Sequence, residues 1–556
     1  MPKPFGPLQH QSLATALPMR YAAYALSLFG LVTAIIAWGV GSAWAWSLLA
    51  FGPLAALGTH DVLQRRRTVS RNYPILAHFR YSLESIGPEI RQYFIQSDTD
   101  ERPFSREQRS VVYQRAKNVV DKKPFGSLHD MYAEGYEWIN PSLTPAHIGD
   151  NDFRITIGER CAQPYSASVF NISAMSFGAL SGNAISSLNA GARMGDFYHD
   201  TGEGAISPYH HRGGDLVWEI GSAYFGCRDA EGRFDEERFV ANATLDQVKM
   251  IEIKLSQGAK PGHGGILPGA KVTEEIAQTR GVPVGEDVIS PTTHSTFATP
   301  MEMMEFIRRL RELSGGKPVG IKLAIGHPWE WFAVVKAMLQ SGESPDFVVV
   351  DGGEGGTGAA PLEFINRLGM PLNEALLLVH NTLVGVNLRR EIKVGAAGKI
   401  ISAFDIARTI ALGADWCNAG RGYMFALGCI QARSCHTDRC PSGVATQNPQ
   451  RSSKLDVSDK SQRVYHFHRN TMNALSEMLA AAGLSHTNQL GPEHILRRVS
   501  RHEIRSYDAL FAYLEPGELL EDVPPQHEVF RHYWNMASAD TFDAPPQVIT
   551  RANVAG

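Results

Sequence analysis

The stretch Phe347–Gly358 reads FVVVDGGEGGTG. Four apolar residues, three of them β-branched, make a short buried strand, and the acid and glycines that follow end it in a turn. The same pattern recurs on both sides. From about Ala167 short β-branched runs alternate with helical segments. The candidate strands are Ser168–Ile172, Leu216–Ile220, Lys249–Lys254, Val319–Leu323, Phe347–Val350, Glu391–Val394 and Trp416–Asn418. Helices are predicted over Gly182–Ala190, Pro300–Ser314, Pro328–Ser341, Asn373–Leu388 and Ala403–Gly413. Such alternation over about 260 residues predicts an α/β fold with a parallel sheet, and the size suits a (β/α)8 TIM barrel. A doubly wound sheet is the rival, weakened by the lack of GxGxxG at the first strand–helix turn.

In a barrel the loops after the strands build the active site. After the first strand comes Ser173–Ser181, SAMSFGALS, whose small residues let the backbone approach a flat ligand. Ser181 can cap the helix that follows. Thr201–Gly204, Lys254–Gly265, Lys322 and Asp351–Gly358 stand at later strand ends, and Gly395–Gly398 and Ala419–Gly422 at the last two. Glycine turns at the two final strand ends are where barrels bind phosphate. Lys322 would set a cation beside the pyrimidine edge of a flavin; the plainer reading is a salt bridge to Asp351 across the barrel mouth.

Beyond the last strand lie Cys429, Cys435 and Cys440, the last followed by Pro441. Thiolates this close commonly share a metal. Zinc would need a fourth ligand, with His436 or Asp438 the near candidates. A three-cysteine set ending in Cys-Pro suits a three-iron cluster better, and buried packing cysteines are the bland alternative. Cys161, Cys227 and Cys417 show no ligand spacing, and the His466–His468 pair reads as helix surface.

The chain has 556 residues, 44% apolar and 20% charged, with net charge −4, so nothing electrostatic favours nucleic acid. Six cysteines, three of them clustered, fit a reducing compartment. From Tyr21 to His60 there is no Asp, Glu, Lys or Arg. That length predicts a two-helix transmembrane hairpin, with Trp38, Trp44 and Trp46 at the interface and basic flanks at Arg20 and Arg65–Arg67. The expected organisation is a tail (1–20), the hairpin (21–60), a helical connector or cap (61–160), the barrel with its cysteine loop (161–450) and a C-terminal helical extension (451–556). The expected location is the inner (cytoplasmic) membrane, with the barrel in the cytoplasm.

The motifs MSFGALS, KLSQGAKPGHGGILPGAKV, VISPTTH and DGGEGGTGAAP, with the run from Cys429 through Cys440-Pro-Ser-Gly-Val-Ala-Thr-Gln447, together resemble the FMN-binding synthase domain of glutamate synthase. The resemblance covers about residues 165–450, and the N-terminal part looks like the membrane-anchored, stand-alone members of that family. It implies FMN and a 3Fe–4S cluster in the barrel. The activity it implies is an oxidoreductase acting on the CH–NH2 group, which reduces the imine of 2-oxoglutarate and ammonia to L-glutamate. FMN contacts are implied for Ser173, Ala174, Met175, Ser176, Lys322, Gly356, Thr357, Gly398, Gly420 and Arg421. Lys254 and Lys260 are implied for catalysis and substrate binding, Arg280 as a further carboxylate partner and Glu203 near the ammonia. Cys429, Cys435 and Cys440 would hold the cluster.

Two departures bear on substrate. The family loop usually reads Gly-Glu-Gly-Gly-Gln where this chain has Gly262-His263-Gly264-Gly265-Ile266, and a glycine is lost at Ala205. A different 2-oxo acid is therefore open. The chain begins Met-Pro and carries no dinucleotide fingerprint. Ammonia is then expected from solution or a partner, and electrons from a protein such as ferredoxin or a membrane-bound carrier. The alternatives are an FMN barrel oxidising 2-hydroxy acids, with His294 or His263 as base, and a non-catalytic flavin/iron–sulfur electron-transfer subunit.

Overall fold

The computed structural model describes residues 19–64, 67–95, 99, 102–522, 525–546 and 548. Arg65 and Arg66 of the expected basic flank lie outside them. The chain divides into two compact units, residues 1–101 and 102–556.

In the first unit helices Ala22–Gly39 and Leu48–Leu63 are joined by a short 3-10 turn, Ala43–Ser47. They pack antiparallel through two glycines: a methyl on Gly30 would sit 2.4 Å from the Phe51 ring, and one on Gly58 2.3 Å from Tyr24. Tyr24 Oη and Thr59 Oγ1 share a hydrogen bond of 2.9 Å. The expectation of two membrane spans needs correction. Among the described residues only Met19–Gly39 is long and apolar enough to cross a bilayer. Leu48–Leu63 has 16 residues, about 24 Å against the ~30 Å of a hydrocarbon core, and carries Pro53, His60 and Asp61. Asp61 is buried, accepting from His78 Nε2 at 2.9 Å and the Ile75 N–H at 3.0 Å, so the chain has already turned back on itself there.

The second unit is built on a closed, all-parallel, eight-stranded barrel. Its strands are β1 (Phe170–Ile172), β2 (His199–Asp200), β3 (Leu216–Ile220), β4 (Val248–Lys254), β5 (Val319–Leu323), β6 (Phe347–Asp351), β7 (Lys393–Ala397) and β8 (Trp416–Ala419). Each pairs with its neighbours in sequence, and β8 closes on β1. The (β/α)8 reading therefore holds, with β2 the strand that periodicity misses. It has only two residues, His199 and Asp200, and neither is apolar.

Outer helices form where the sequence caps them. Thr299 and Glu302 make a capping box at Pro300–Leu313, and Ser181 Oγ accepts from the Ala184 N–H at the start of Gly182–Gly195. Helix Val457–Ala481 lies against Gly182–Gly195, where a methyl on Gly191 would meet Val464 at 2.5 Å. His468 on this helix is not on the surface, as its pattern suggested. It is buried, stacked 4.0 Å from the Phe197 ring and bonded to Ser168 Oγ, and burial pushes its imidazole down to about 3. Helix Arg106–Ala116 packs on the same helix and on the cysteine loop, with Tyr113 Oη donating to the Cys429 carbonyl at 2.6 Å. The C-terminal region also adds strands: Ile495–Arg498 pairs with Glu137–Ile139 and Ile504–Ser506 in a small antiparallel sheet.

Candidate active site

Strand alternation aims every second side chain of a barrel strand inward, and the inward charged residues here form two tiers. The upper tier gathers around the end of β4. Lys254 closes β4, and its Nζ lies 3.0 Å from Oε1 of Glu203, which follows β2. Burial alone would lift the Glu203 carboxyl. Lys254, and behind it Arg280 and Lys260, outweigh burial and hold the group below its ordinary value, so it is ionised at neutral pH. Lys260 is 2% exposed and is pushed down by burial, with Lys254 adding to that and Glu203 opposing it. Arg280 comes from helix Glu274–Arg280 in the long excursion after β4. Burial lowers it to about 10 against the pull of Glu203. Its Nη2 donates to the Phe177 carbonyl at 2.8 Å and to Ser176 Oγ at 3.3 Å, and its guanidinium lies over the Phe225 ring. Three cations thus surround one carboxylate.

Two glycines make this geometry possible. A methyl on Gly258 would sit 1.8 Å from the Gly352 carbonyl oxygen, so the Lys254–Gly265 loop can lie on the β6 turn only with glycine there. Asp351 Oδ2 completes the contact by accepting from the Gly258 N–H at 2.9 Å. A methyl on Gly265 would meet Glu203 Oε1 at 2.2 Å.

The lower tier inverts the ratio. Lys322 Nζ is 2.7 Å from Glu219 Oε2 and 3.8 Å from Glu252 Oε1. Asp200, Glu219 and Glu252 each bring a carboxylate oxygen within 4.8 Å of the others, and all are buried. The ion pair expected between Lys322 and Asp351 is therefore made with Glu219. Burial lifts Asp200 to about 7, with Glu219 adding to the rise and Lys322 opposing it. Burial likewise raises Glu252, reinforced by Asp200. Burial would lower Lys322, but Glu219, Glu252 and Asp200 together hold it above its ordinary value. Burial favours the protonated form of Asp200 and Glu252, and the acids together favour the charged form of Lys322.

These three acids escaped motif reading, yet a signal was present. Glu219 is the one charged residue in LVWEI, and Glu252 stands two before Lys254, on the same face of its strand.

His294 does not stand free as a base. Its Nε2 lies 2.9 Å from the Lys254 carbonyl and its Nδ1 3.0 Å from Tyr224 Oη, and burial lowers its imidazole. The Nε2–H donates and Nδ1 accepts from the tyrosine, so the ring braces Lys254. His263 has Nδ1 3.1 Å from the neighbouring Gly264 carbonyl.

Of the residues expected to hold FMN, Lys322 is buried in the lower tier, and the others stand at strand ends around the same mouth. Half-buried Ser173–Ser176 follow β1, and the Ser173 N–H donates to the Ala419 carbonyl at the end of β8. Arg421 Nη2 donates to the Thr357 carbonyl at 2.8 Å and lies close beside Gly356, while Gly398 follows β7. A methyl on Gly420 would meet nothing nearer than 3.8 Å, at Met175 Sδ and Ser173 Cβ. That open cradle between glycine turns fits a flat ligand with a phosphate.

The cysteine loop continues from helix Arg421–Ala426. Cys429 and Cys440 are buried, Cys435 is partly exposed and all three are free thiols. Among the described residues the three sulfurs do not all lie within 4.8 Å of one another. One zinc with Zn–S of about 2.3 Å would hold its sulfurs about 3.8 Å apart. Three thiols in one loop are a donor set of the kind that holds iron–sulfur centres. Burial would raise Cys440, but Ser442 Oγ and the N–H groups of Ala445, Ser442 and Val444 outweigh it, a surround that favours thiolate. Cys429 is lifted to about 11 by burial. Cys227 and Cys417 are buried and lifted by the same cause, as packing residues are.

Comparison with known proteins places the chain in a family. A model of the conserved region in glutamate synthase matches residues 147–485. The glutamate synthase large subunit-like protein YerD of Bacillus subtilis is 37% identical over 492 residues, 81% of this chain and 93% of that protein. The archaeal glutamate synthase (NADPH) of Methanocaldococcus jannaschii is 37% identical over 338 residues, 60% of this chain. The glutamate synthase (NADPH) large chain of Azospirillum brasilense is 29% identical over 414 residues, 73% of this chain. The chain spans 62% of the archaeal relative and 26% of the Azospirillum one. With more than half of its length matched, this chain belongs to the glutamate synthase family.

Proposed function

We propose that the protein is an FMN- and iron–sulfur-dependent oxidoreductase that converts a dicarboxylic 2-oxo acid, 2-oxoglutarate foremost, and ammonia to the amino acid. The observation that carries the reading is the upper tier. Lys254, Lys260 and Arg280 against Glu203 leave two surplus positive charges in a buried cluster, the complement of two carboxylates. Arginine adds planar, bidentate recognition of one of them. When bound, FMN would supply hydride chemistry and the cluster one-electron transfer from a protein carrier.

The chain's own residues supply the rest. Lys254, held by Glu203 and braced by His294, can direct its Nζ proton to the substrate's 2-oxo oxygen or imine nitrogen. Ionised Glu203 can hold ammonium or take a proton from the adding amine. Lys260 and Arg280 fix the carboxylates and so orient the carbon that is reduced. Ser173–Ser176 and the Gly398 and Gly420–Arg421 turns would seat FMN, and Cys429, Cys435 and Cys440 the cluster. The apolar helix Met19–Gly39 supports attachment to a membrane by one span.

The test is a reduced-protein assay. Purified protein should release FMN and contain about three irons per chain. Once reduced, its flavin should reoxidise with 2-oxoglutarate plus ammonium and yield glutamate, faster than with monocarboxylic 2-oxo acids. Colourless protein, or flavin indifferent to every dicarboxylic 2-oxo acid with ammonium, would sink the proposal.

A further inference from the structure

Lys271 takes no part in either tier, and it is 3% exposed. It ends the 3-10 turn Gly269–Lys271 on the substrate-side excursion, a turn pinned where the Gly269 N–H donates to Asp287 Oδ1 at 2.6 Å. Its Nζ donates to the Ala179 carbonyl at 3.1 Å, in the loop after β1, and to the Cys435 carbonyl at 3.5 Å. Those two loops are also sewn together directly. Gln447 Nε2 donates to the Gly178 and Leu180 carbonyls, and Ser181 Oγ donates to the Gly443 carbonyl at 2.8 Å.

What distinguishes Lys271 is charge. Among the described residues no carboxylate lies within ion-pair distance of its ammonium, which makes only carbonyl contacts. A buried cation without a counter-charge is costly, and the nearby charge able to offset it is that of the thiol loop, Cys435 and Cys440 with Asp438. Three thiolates leave an iron–sulfur centre anionic, and one electron from a carrier makes it one unit more negative without moving a proton. A fixed cation stabilises the reduced state more than the oxidised one.

Resting on the proposed cofactor set, we infer that Lys271 is a positioning residue for the cluster. It holds the Cys435 segment against the flavin loop and raises the cluster's reduction potential, so that electrons from the carrier are retained beside the flavin.

The experiment is a redox titration of the full-length protein, followed by the paramagnetic resonance of the oxidised cluster. Wild type is compared with Lys271→Met, Lys271→Gln and Lys271→Arg, with iron and FMN quantified in each. The Met and Gln variants should keep FMN and show a midpoint shifted to more negative potential, while Arg stays near wild type. Loss of iron in Met and Gln with retention in Arg would carry the same message in stronger form. An unchanged midpoint in Met and Gln at full iron content overturns the role of Lys271 alone. So does an Arg variant that shifts or loses iron as much as Met. A wild-type protein without iron overturns this inference together with the cofactor reading, and FMN-dependent glutamate formation in that protein would show which part of the reading survived.

Discussion

The two tiers at the barrel mouth are both built from buried acids and cations and end with opposite electrostatics. Around Lys322 three buried acids outnumber the cation, and burial raises Asp200 and Glu252 toward their neutral forms. Around Glu203, among the described residues, three cations act on one acid. A buried charge cluster that is complete within the chain is architecture, and one left with surplus charge is a receptor. Both tiers hold a lysine at a strand end, Lys254 and Lys322, side by side in register. Their neighbours differ: Lys254 pairs with one acid, and Lys322 lies among three.

Breaking the lower tier should cost most. Lys322→Met strips the acids of their cation, and loss of one partner from a buried pair costs ~3–5 kcal/mol, to be read as a lowered denaturation midpoint. Adding Glu219→Gln should recover part of that loss. No change in midpoint would mean that the tier is not a closed balance.

Breaking the upper tier should leave folding almost intact and weaken binding. Lys260→Met removes one charged contact to substrate, worth ~1.5–3 kcal/mol, or about ten- to over a hundredfold in the 2-oxo acid concentration needed. Initial-rate kinetics with unfolding as control would check it. A loss confined to stability would reverse the assignment of the tiers.

The lower tier should also carry a pH signature. Asp200 is raised from an ordinary 3.8 to about 7 in the folded protein, so the native state binds the extra proton. Its stabilising contribution is full below about pH 4 and is lost as pH rises through 7. Asp200→Asn should flatten the slope of stability over that window, measured by denaturation at a series of pH values.

The smallest effect concerns the turn carrying Glu203. Ala205 adopts φ +70°, a conformation that favours glycine. Ala205→Gly removes the steric cost and adds unfolded-state freedom, so stability should change by less than about 1 kcal/mol. A larger loss would indicate that the buried Ala205 methyl matters to packing beside Gly226.

Much of the barrel was legible because seven of its eight strands declare themselves. LVWEI, VGIKL and FVVV have apolar residues enough to mark strands, and Pro300 and Pro328 open helices at the positions read. β2 was not legible, since two polar residues make a strand only when β1 and β3 flank them. The second membrane span was misread from composition. Lack of charge extends to His60, but length, Pro53 and the turned-in Asp61 end the helix too soon.

The sequence by itself determined most of the element order and the glycine-rich turns at the strand ends, since these follow from local periodicity and glycine chemistry, while the resemblance named the residues expected at the mouth. Tertiary structure alone decided which charges meet. Glu219 reaches Lys322 across 103 residues and Lys254 reaches Glu203 from the neighbouring side of the barrel. Burial and charge balance, which turn one lysine into architecture and the other into a receptor, are properties of the closed barrel and of no segment within it.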